Sequence, residues 1–399
     1  MRNIGKILGI GIGGTALLFF VSSFVFSSEV SYKKDSGNLA LTVVEKREVK
    51  HLKTPEPLKG IYMTQCVASM LSFRDKVVSL IEGTELNTAV IDIKDYTGTV
   101  SFETGNNEID ALNKNGIGCQ VSDMQDFIEE LHNKNIYVIG RVTAFQDPLY
   151  VRVHPELAVK RKSDGGIWKD RKGISFIDPG GRPFWDYIVS IATSSYATGF
   201  DEINFDYIRF PSDGNMKDIY FSHIGTTTKK EMLRKFFEYL NSKLTGTGIV
   251  TSADLFGMVT TNTDDLGIGQ ILEYALMNFD YVSPMVYPSH YPPTFNGWPD
   301  PNKVPYEIVK FSMDAAVART KFLYGEISTS TASTTPDLAL MNRVNPLQLR
   351  PWLQDNDYPV HYTADMVRKQ IQATYDAGLT SWMLWDPANT YTMEALLSE

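Results

Sequence analysis

The 399-residue sequence predicts an α/β protein, a single (β/α)8 TIM barrel preceded by an N-terminal membrane segment. Three observations carry this. From Gly60 to the C-terminus, β-rich runs alternate with helical ones, the pattern of parallel strands joined by crossover helices. Eight strand runs can be counted, the number that closes this barrel. Several alternate polar and apolar residues, whereas strands of an open doubly wound sheet bury both faces and read as continuous apolar runs.

At the N-terminus, Arg2 and Lys6 precede a stretch from Ile7 to Ser28 without a charge. About 20 apolar residues span a bilayer, and the positive flank stays in the cytoplasm. Residues 1–28 are therefore expected to be a signal anchor, or a signal peptide if cleaved, with everything from Glu29 onward exported. The anchor is favoured because the run exceeds the roughly 7–15 residues of a signal-peptide core and no Ala-x-Ala follows. Residues 29–56 are mixed polar and charged and read as a linker, in which Leu39–Val44 has the composition of a short strand. The barrel is expected over residues 57–399.

The expected strands are Gly60–Cys66, Thr88–Lys94, Ile136–Thr143, Glu202–Tyr207, Gly248–Leu255, Tyr281–Tyr287, Leu349–Gln354 and Ser381–Trp385. Helical periodicity marks Arg74–Glu82, Met124–Asn133, Pro183–Ala197, Lys229–Leu244, Tyr306–Arg319 and Ala364–Ala377. The Ser/Thr-rich residues 328–335 read as a surface loop before the seventh strand. No Gly-rich phosphate loop follows a strand, since the Gly-x-Gly-x-Gly-Gly motif lies inside the apolar segment.

Composition removes several function classes. Lys and Arg number 38 against 47 Asp and Glu, a net charge of −9 with no basic cluster, which argues against nucleic acid. Two cysteines, Cys66 and Cys119, form neither a disulfide framework nor a zinc motif; they read as bystanders that pair if the chain is exported. No His-x-His, His-Glu-x-x-His or Gly-x-Ser-x-Gly occurs, so neither a metal, another cofactor nor a serine nucleophile is expected.

Strand alternation proposes the site. Glu202, Asn204 and Asp206 share one face of their strand, Asp92 and Lys94 one face of theirs, and Ser252 and Asp254 another. Acids thus gather at strand ends: Asp92, Asp95, Glu202, Asp206, Asp254, Asp355 and Asp386. Unpaired buried charge is costly, so this exceeds what packing explains and suits a neutral polyhydroxylated ligand. A pair of carboxylates, one protonated and one ionised, cleaves glycosidic bonds. Asp206 is the expected nucleophile or base, Asp254 its partner. The structural alternatives are a salt bridge from Asp206 to Arg209 or Lys94, and a helix cap or loop hydrogen bond at Asp254. Arg141, Arg209, Lys94 and His290 supply counter-charge and donors, with Arg141 orienting a carboxylate. Tyr287 and Trp385 supply aromatic surface.

Lys59-Gly-Ile-Tyr-Met-Thr, Val90-Ile-Asp-Ile-Lys-Asp, Phe200-Asp-Glu-Ile-Asn-Phe-Asp-Tyr-Ile-Arg-Phe-Pro, Ser252-Ala-Asp-Leu-Phe-Gly, Val282-Ser-Pro-Met-Val-Tyr-Pro-Ser-His-Tyr and Leu349-Arg-Pro-Trp-Leu-Gln-Asp follow in order. Together they resemble a bacterial family described as “Putative glycosyl hydrolase domain”, which implies a TIM barrel and glycoside hydrolysis. A more distant likeness is to the alpha-amylase family, whose Asp-Gly-x-Arg-x-Asp aligns with Asp201–Asp206 and implies Asp206 as nucleophile. Asn204 stands at that family's Arg, and Asp254 replaces a Glu acid. The similar chitinase pattern would put its catalytic Glu at Ile208, which disfavours that chemistry. The expected partner is an envelope or extracellular polysaccharide. The competing reading, motivated by Asn204 and Ile208, is a non-catalytic carbohydrate-binding or scaffold barrel.

Overall fold

The computed structural model describes residues 30–31, 42–43, 48–329 and 344–398. Eight parallel strands pair in chain order and close into a barrel: β1 (Lys59–Met63), β2 (Thr88–Lys94), β3 (Tyr137–Thr143), β4 (Glu202–Asp206), β5 (Val250–Phe256), β6 (Tyr281–Met285), β7 (Trp352–Gln354) and β8 (Trp382–Trp385). One main helix lies in each connection: α1 (Leu71–Glu82), α2 (Met124–Asn133), α3 (Arg182–Thr198), α4 (Lys229–Leu244), α5 (Leu272–Asn278), α6 (Pro305–Thr329) and α7 (Ala364–Asp376). This is the expected TIM barrel. α5 and the short helices Gln65–Ala68, Asn107–Asn113 and Pro148–Val153 were not expected, since four to seven residues are too few to establish a helical period.

Local chemistry explains the boundaries. Thr228 opens α4 with a reciprocal capping box to Glu231. Pro183 stands in the first turn of α3, and Gly199 ends that helix at φ +131°, a conformation costly for residues with a Cβ. Ile91, Ile203, Phe205, Ala253 and Leu255 point outward and join Ile188, Phe236 and Leu276 of the helices in one apolar layer. Burying each large apolar side chain contributes about 1.5–3 kcal/mol, so this layer fixes which strand face points to the axis.

The axial face is less polar than the alternation implied. Leu58, Tyr62, Val90, Tyr137, Ile139, Tyr287, Trp352 and Met383 fill it as a second apolar cluster. The end of the stretch read as linker helps close the barrel's N-terminal end. Leu52 packs on this cluster and its N–H donates to Asp201 Oδ1 at 2.7 Å, and Thr54 Oγ1 lies 3.0 Å from the Tyr137 hydroxyl. Elsewhere in that stretch, Val30–Ser31 pairs antiparallel with Thr42–Val43. The apolar segment 1–28 lies outside the described residues. Among the described residues no helix is long and apolar enough to cross a membrane. Residues 328–329 end α6 rather than beginning a loop, and 330–343 lie outside the described residues.

Lys94 departs from its expected face. A register shift between Asp92 and Lys94 breaks the alternation, so Lys94 pairs beside Val142 instead of following Asp92 toward the axis. Its Nζ, fully buried, lies 2.9 Å from Asp147 Oδ2, hydrogen-bonds Thr143 O, and sits 5.9 Å from the Phe184 ring. Cys66 and Cys119 form a disulfide that joins the loops after β1 and β2. The loops after β3 and β4 are stitched by a two-stranded ribbon, Lys160–Arg161 with Ile219–Tyr220, over a small core of Val159, Trp168, Phe176 and Ile219.

Removing one partner of a buried pair leaves an uncompensated charge and costs about 3–5 kcal/mol. Lys94→Met is therefore expected to lower unfolding free energy by that amount in urea titrations, because Asp147 is stranded. A loss within 1 kcal/mol would show that the pair contributes little.

Candidate active site

Arg141 organises the carboxyl end of the barrel. It lies opposite Asp92 of β2 and Asn204 of β4 in the strand register, with its side chain on the axial face. Nη1 donates to Asp92 Oδ1 at 2.7 Å, Nη2 donates to Asp206 Oδ2, and Nε lies 3.7 Å from Asp254 Oδ2. One guanidinium thus faces three carboxylates from three strands. Its carbon sits 5.6 Å from the Tyr62 ring centroid and 5.3 Å from that of Trp385, beside two rings that stack on each other. Burial opposes the charged guanidinium, but Asp206 and Asp92 together outweigh it and hold its pKa well above the usual arginine value.

The three acids differ in their surroundings. Burial pushes Asp92 up to about 6, partly offset by Arg141 and by the Tyr62 hydroxyl that donates to it. Burial and then the charge of Asp206 push Asp254 up to about 8, against Arg141 and two N–H donors. Those donors, Trp352 Nε1 at 2.8 Å and Asn204 Nδ2 at 2.9 Å, both bond Oδ1, which leaves Oδ2 as the place for a proton. Asp206 keeps the tightest contact with Arg141 and accepts the Tyr207 backbone N–H, two charge-assisted hydrogen bonds. Neither structural alternative holds: Asp206 pairs with Arg141 instead of Arg209 or Lys94, and Asp254 bonds across strands instead of capping a helix or its own loop. Buried Arg141 Nε and Asn204 Oδ1 have no hydrogen-bond partner among the described residues, leaving spare polar capacity beneath the cavity.

Above this network a cavity of about 170 Å³ opens, lined by Arg141, Asp206, Tyr207, Arg209, Asp254, Phe256, Met285, Tyr287, His290 and Trp385. Ligand pockets of about 300–1,000 Å³ hold drug-sized molecules, so this one suits a single ring-sized unit. Trp385 is stacked on Tyr62 at 4.1 Å, and Tyr287 lies 5.3 Å from His290. Burial lowers the His290 pKa, keeping its ring neutral near pH 7, and Nδ1 lies 3.0 Å from Ser289 Oγ. Tyr207 has φ +51°, rare for a bulky side chain and a form of strain concentrated at functional sites.

The expected residues therefore separate. Asp206, Asp254, Arg141, Arg209, Tyr287, His290 and Trp385 meet at the cavity, with Asp92 and Asn204 packed behind them. Four acids do not converge there. Asp95 accepts the Thr97 N–H and hydroxyl within its own turn. Asp355 accepts Thr392 N–H and hydroxyl, and Asp386 accepts the N–H groups of Ala388 and Thr390; both line a separate groove. Burial raises Asp355 to about 6 and also raises Asp386. Glu202 is bonded to Arg350 at 2.9 Å, at the start of β4, two strand positions below Asn204. Lys94 lies outside the barrel wall. Sequence reasoning missed Tyr62, Tyr207, Phe256, Met285 and Trp352; alternation from Gly60 to Tyr62 and from Arg350 to Trp352 was the available signal for two of them.

Fold and site together define a TIM-barrel protein with a carboxylate pair at the carboxyl end of its strands, where such barrels place their chemistry. Residues 60–391 match the family described as “Putative glycosyl hydrolase domain”, and the chain belongs to it. A hypothetical protein of Ruminiclostridium thermocellum is 32% identical, over 52% of this chain and 98% of that one, with a TM-score of 0.44. The PgaB (BpsB) glycoside hydrolase domain of Bordetella bronchiseptica shares the fold with a TM-score of 0.57 at 12% identity, over 84% of this chain and 95% of that one. The spore cortex-lytic enzyme SleL of Bacillus megaterium aligns with a TM-score of 0.48 at 9% identity, over 91% and 76%. No protein of curated function matches the sequence. Family membership supports a glycoside hydrolase role.

The raised acids give a pH signature. Between about pH 4 and pH 8 the folded protein binds more protons at Asp254 than the unfolded chain does, so stability falls as pH rises through that window, with Asp92 contributing up to about pH 6. Asp254→Asn is expected to flatten the upper part of that slope, from about pH 6 to 8, in urea titrations at stepped pH. An unchanged slope would place the proton elsewhere.

Proposed function

We propose that the chain is an exported glycoside hydrolase acting on an envelope or extracellular polysaccharide, with Asp254 as general acid and Asp206 as nucleophile or base. The observation that carries this is a pair of buried acids that face one guanidinium at unequal distances, Asp206 in direct contact and Asp254 at 3.7 Å. Asp254, pushed up to about 8 by burial and by Asp206, holds a proton at neutral pH, while Asp206 is ion-paired to Arg141. A buried acid that keeps its proton beside a carboxylate held by a cation is how one site supplies acid and base together. Asp254 would protonate the glycosidic oxygen as the bond to the anomeric carbon breaks; Asp206 would meet the developing positive charge there, or activate water against it. Arg141 would hold both carboxylates in place, and Trp385 and Tyr287 would present apolar faces to the sugar ring.

Export is part of the same reading. An uncharged run from Ile7 to Ser28 behind Arg2 and Lys6 would anchor the chain with its barrel outside the cytoplasm, or release it if cleaved. The Cys66–Cys119 disulfide agrees with an oxidising compartment. The competing reading, a barrel that binds glycans without turnover, draws on the depth of Asp254, which is 1% exposed.

Reducing-sugar release from a polysaccharide panel tests the assignment. Asp206→Asn and Asp254→Asn are each expected to lower kcat by about 10²–10⁴-fold with an unchanged circular dichroism spectrum. The wild-type rate is expected to fall above about pH 8 as Asp254 loses its proton. Equal activity in wild type and Asp206→Asn removes Asp206 from its role, and glycan binding without product at high enzyme concentration favours the binding barrel.

A further inference from the structure

The two guanidinium groups lining the cavity are used differently. Arg141 is committed to three carboxylates. Arg209 has no carboxylate partner among the described residues: its Nη1 donates to Phe210 O at 3.3 Å and to Ser212 Oγ at 3.0 Å, both neutral. Nε and Nη2 have no hydrogen-bond partner there. A guanidinium always carries its charge, and its planar fork matches a carboxylate or phosphate with two parallel N–H donors. A half-buried fork at a cavity, bonded through one nitrogen to neutral oxygens, has unspent capacity for an anion.

The backbone around Arg209 supports the same conclusion. Tyr207, in the left-handed region, is strained, and the turn it makes brings Asp206, Tyr207 and Arg209 to one cavity. Ile208 joins the apolar layer instead, anchoring the turn. The Arg209 guanidinium carbon lies 5.2 Å from the Tyr207 ring centroid, which restricts its rotamers and pre-organises the charge. The separate groove carries Asp355, Asp357 and Asp386 with His361, and no Lys or Arg lines it. An acidic substituent is therefore matched by the Arg209 fork and meets no Lys or Arg in that groove.

We infer that Arg209 recognises an anionic group, a carboxylate or a phosphate, on the sugar unit seated in the cavity. This rests on the glycan-cleaving reading of the site. The preferred substrate is then a glycan that carries anionic units, not the neutral polymer that the acids alone implied.

Titration calorimetry on the purified full-length protein with matched small probes tests this without turnover. Methyl β-glucuronide is set against methyl β-glucoside, and glucose 6-phosphate against glucose, for wild type, Arg209→Gln and Arg209→Lys. The expected result is at least tenfold tighter binding of an anionic probe than of its neutral match. Arg209→Gln should erase that preference at an unchanged melting temperature, and Arg209→Lys should keep part of it. Preference in the glucuronide pair identifies a carboxylate, and preference in the phosphate pair identifies a phosphate. Equal affinity within both pairs, no binding of any probe, or a preference that survives Arg209→Gln overturns the inference. Failure of the hydrolytic reading is detected separately, by equal reducing-sugar release from wild type and Asp206→Asn.

Discussion

The contact on which the upper half of the barrel depends is the guanidinium of Arg141, shared by carboxylates from β2, β4 and β5. Three buried acids within reach of one another repel, and without a cation all would be driven toward their neutral forms. Arg141 resolves this unevenly. It is closest to Asp206 and Asp92 and 3.7 Å from Asp254, so the acid with the weakest claim on the cation, deepest in the wall, holds the proton. Burial raises the acids, and a cation placed off-centre between them offsets that unequally; strand register supplies the offset.

That offset depends on the apolar fill beneath. Val90, Ile139, Trp352 and Met383 exclude water from the floor, so the charges above interact in a medium of low polarity where position matters more. Trp352 belongs to both layers: its ring is part of the fill, and its Nε1 donates to Asp254. The packing that stabilises the barrel thereby also sets which Asp254 oxygen is left for a proton.

Much of this was legible in the sequence because it is periodic. Strand and helix runs follow from residue type and spacing, and the alternation in β4 and β5 placed Asp206 and Asp254 on the axial face. What failed was whatever the period does not carry. One irregularity in β2 turned Lys94 out of the barrel, and nothing in Val-Ile-Asp-Ile-Lys-Asp marks it, since every residue there suits a buried strand. The cation that faces Asp206 is likewise found only across strands. Arg141 on β3, the register partner of Asn204, brings the guanidinium to Asp206 from the side. Reading one strand at a time leaves Asp206 without a guanidinium; pairing two strands supplies one.

The acids at the strand ends divide on a related principle. Asp95, Asp355 and Asp386 accept backbone N–H groups from loops on the carboxyl side of the barrel, and these bonds hold the rim in shape. Asp254 and Asp92 draw their side-chain donors from other strands, Trp352, Asn204, Tyr62 and Arg141, which is possible only for a side chain on the axis. Asp206 does both, accepting the N–H of the residue after it and the guanidinium of β3. Its strained neighbour Tyr207 is the point at which loop and barrel meet. The rim acids could be exchanged for Asn or Ser, which also accept from backbone N–H, whereas Asp92 and Asp254 owe their raised pKa values to burial against the axis, offset by Arg141, and would lose that chemistry with the same exchange. Position relative to the axis, rather than acidity or proximity to a strand end, separates the carboxylates that shape the rim from those that face the cavity.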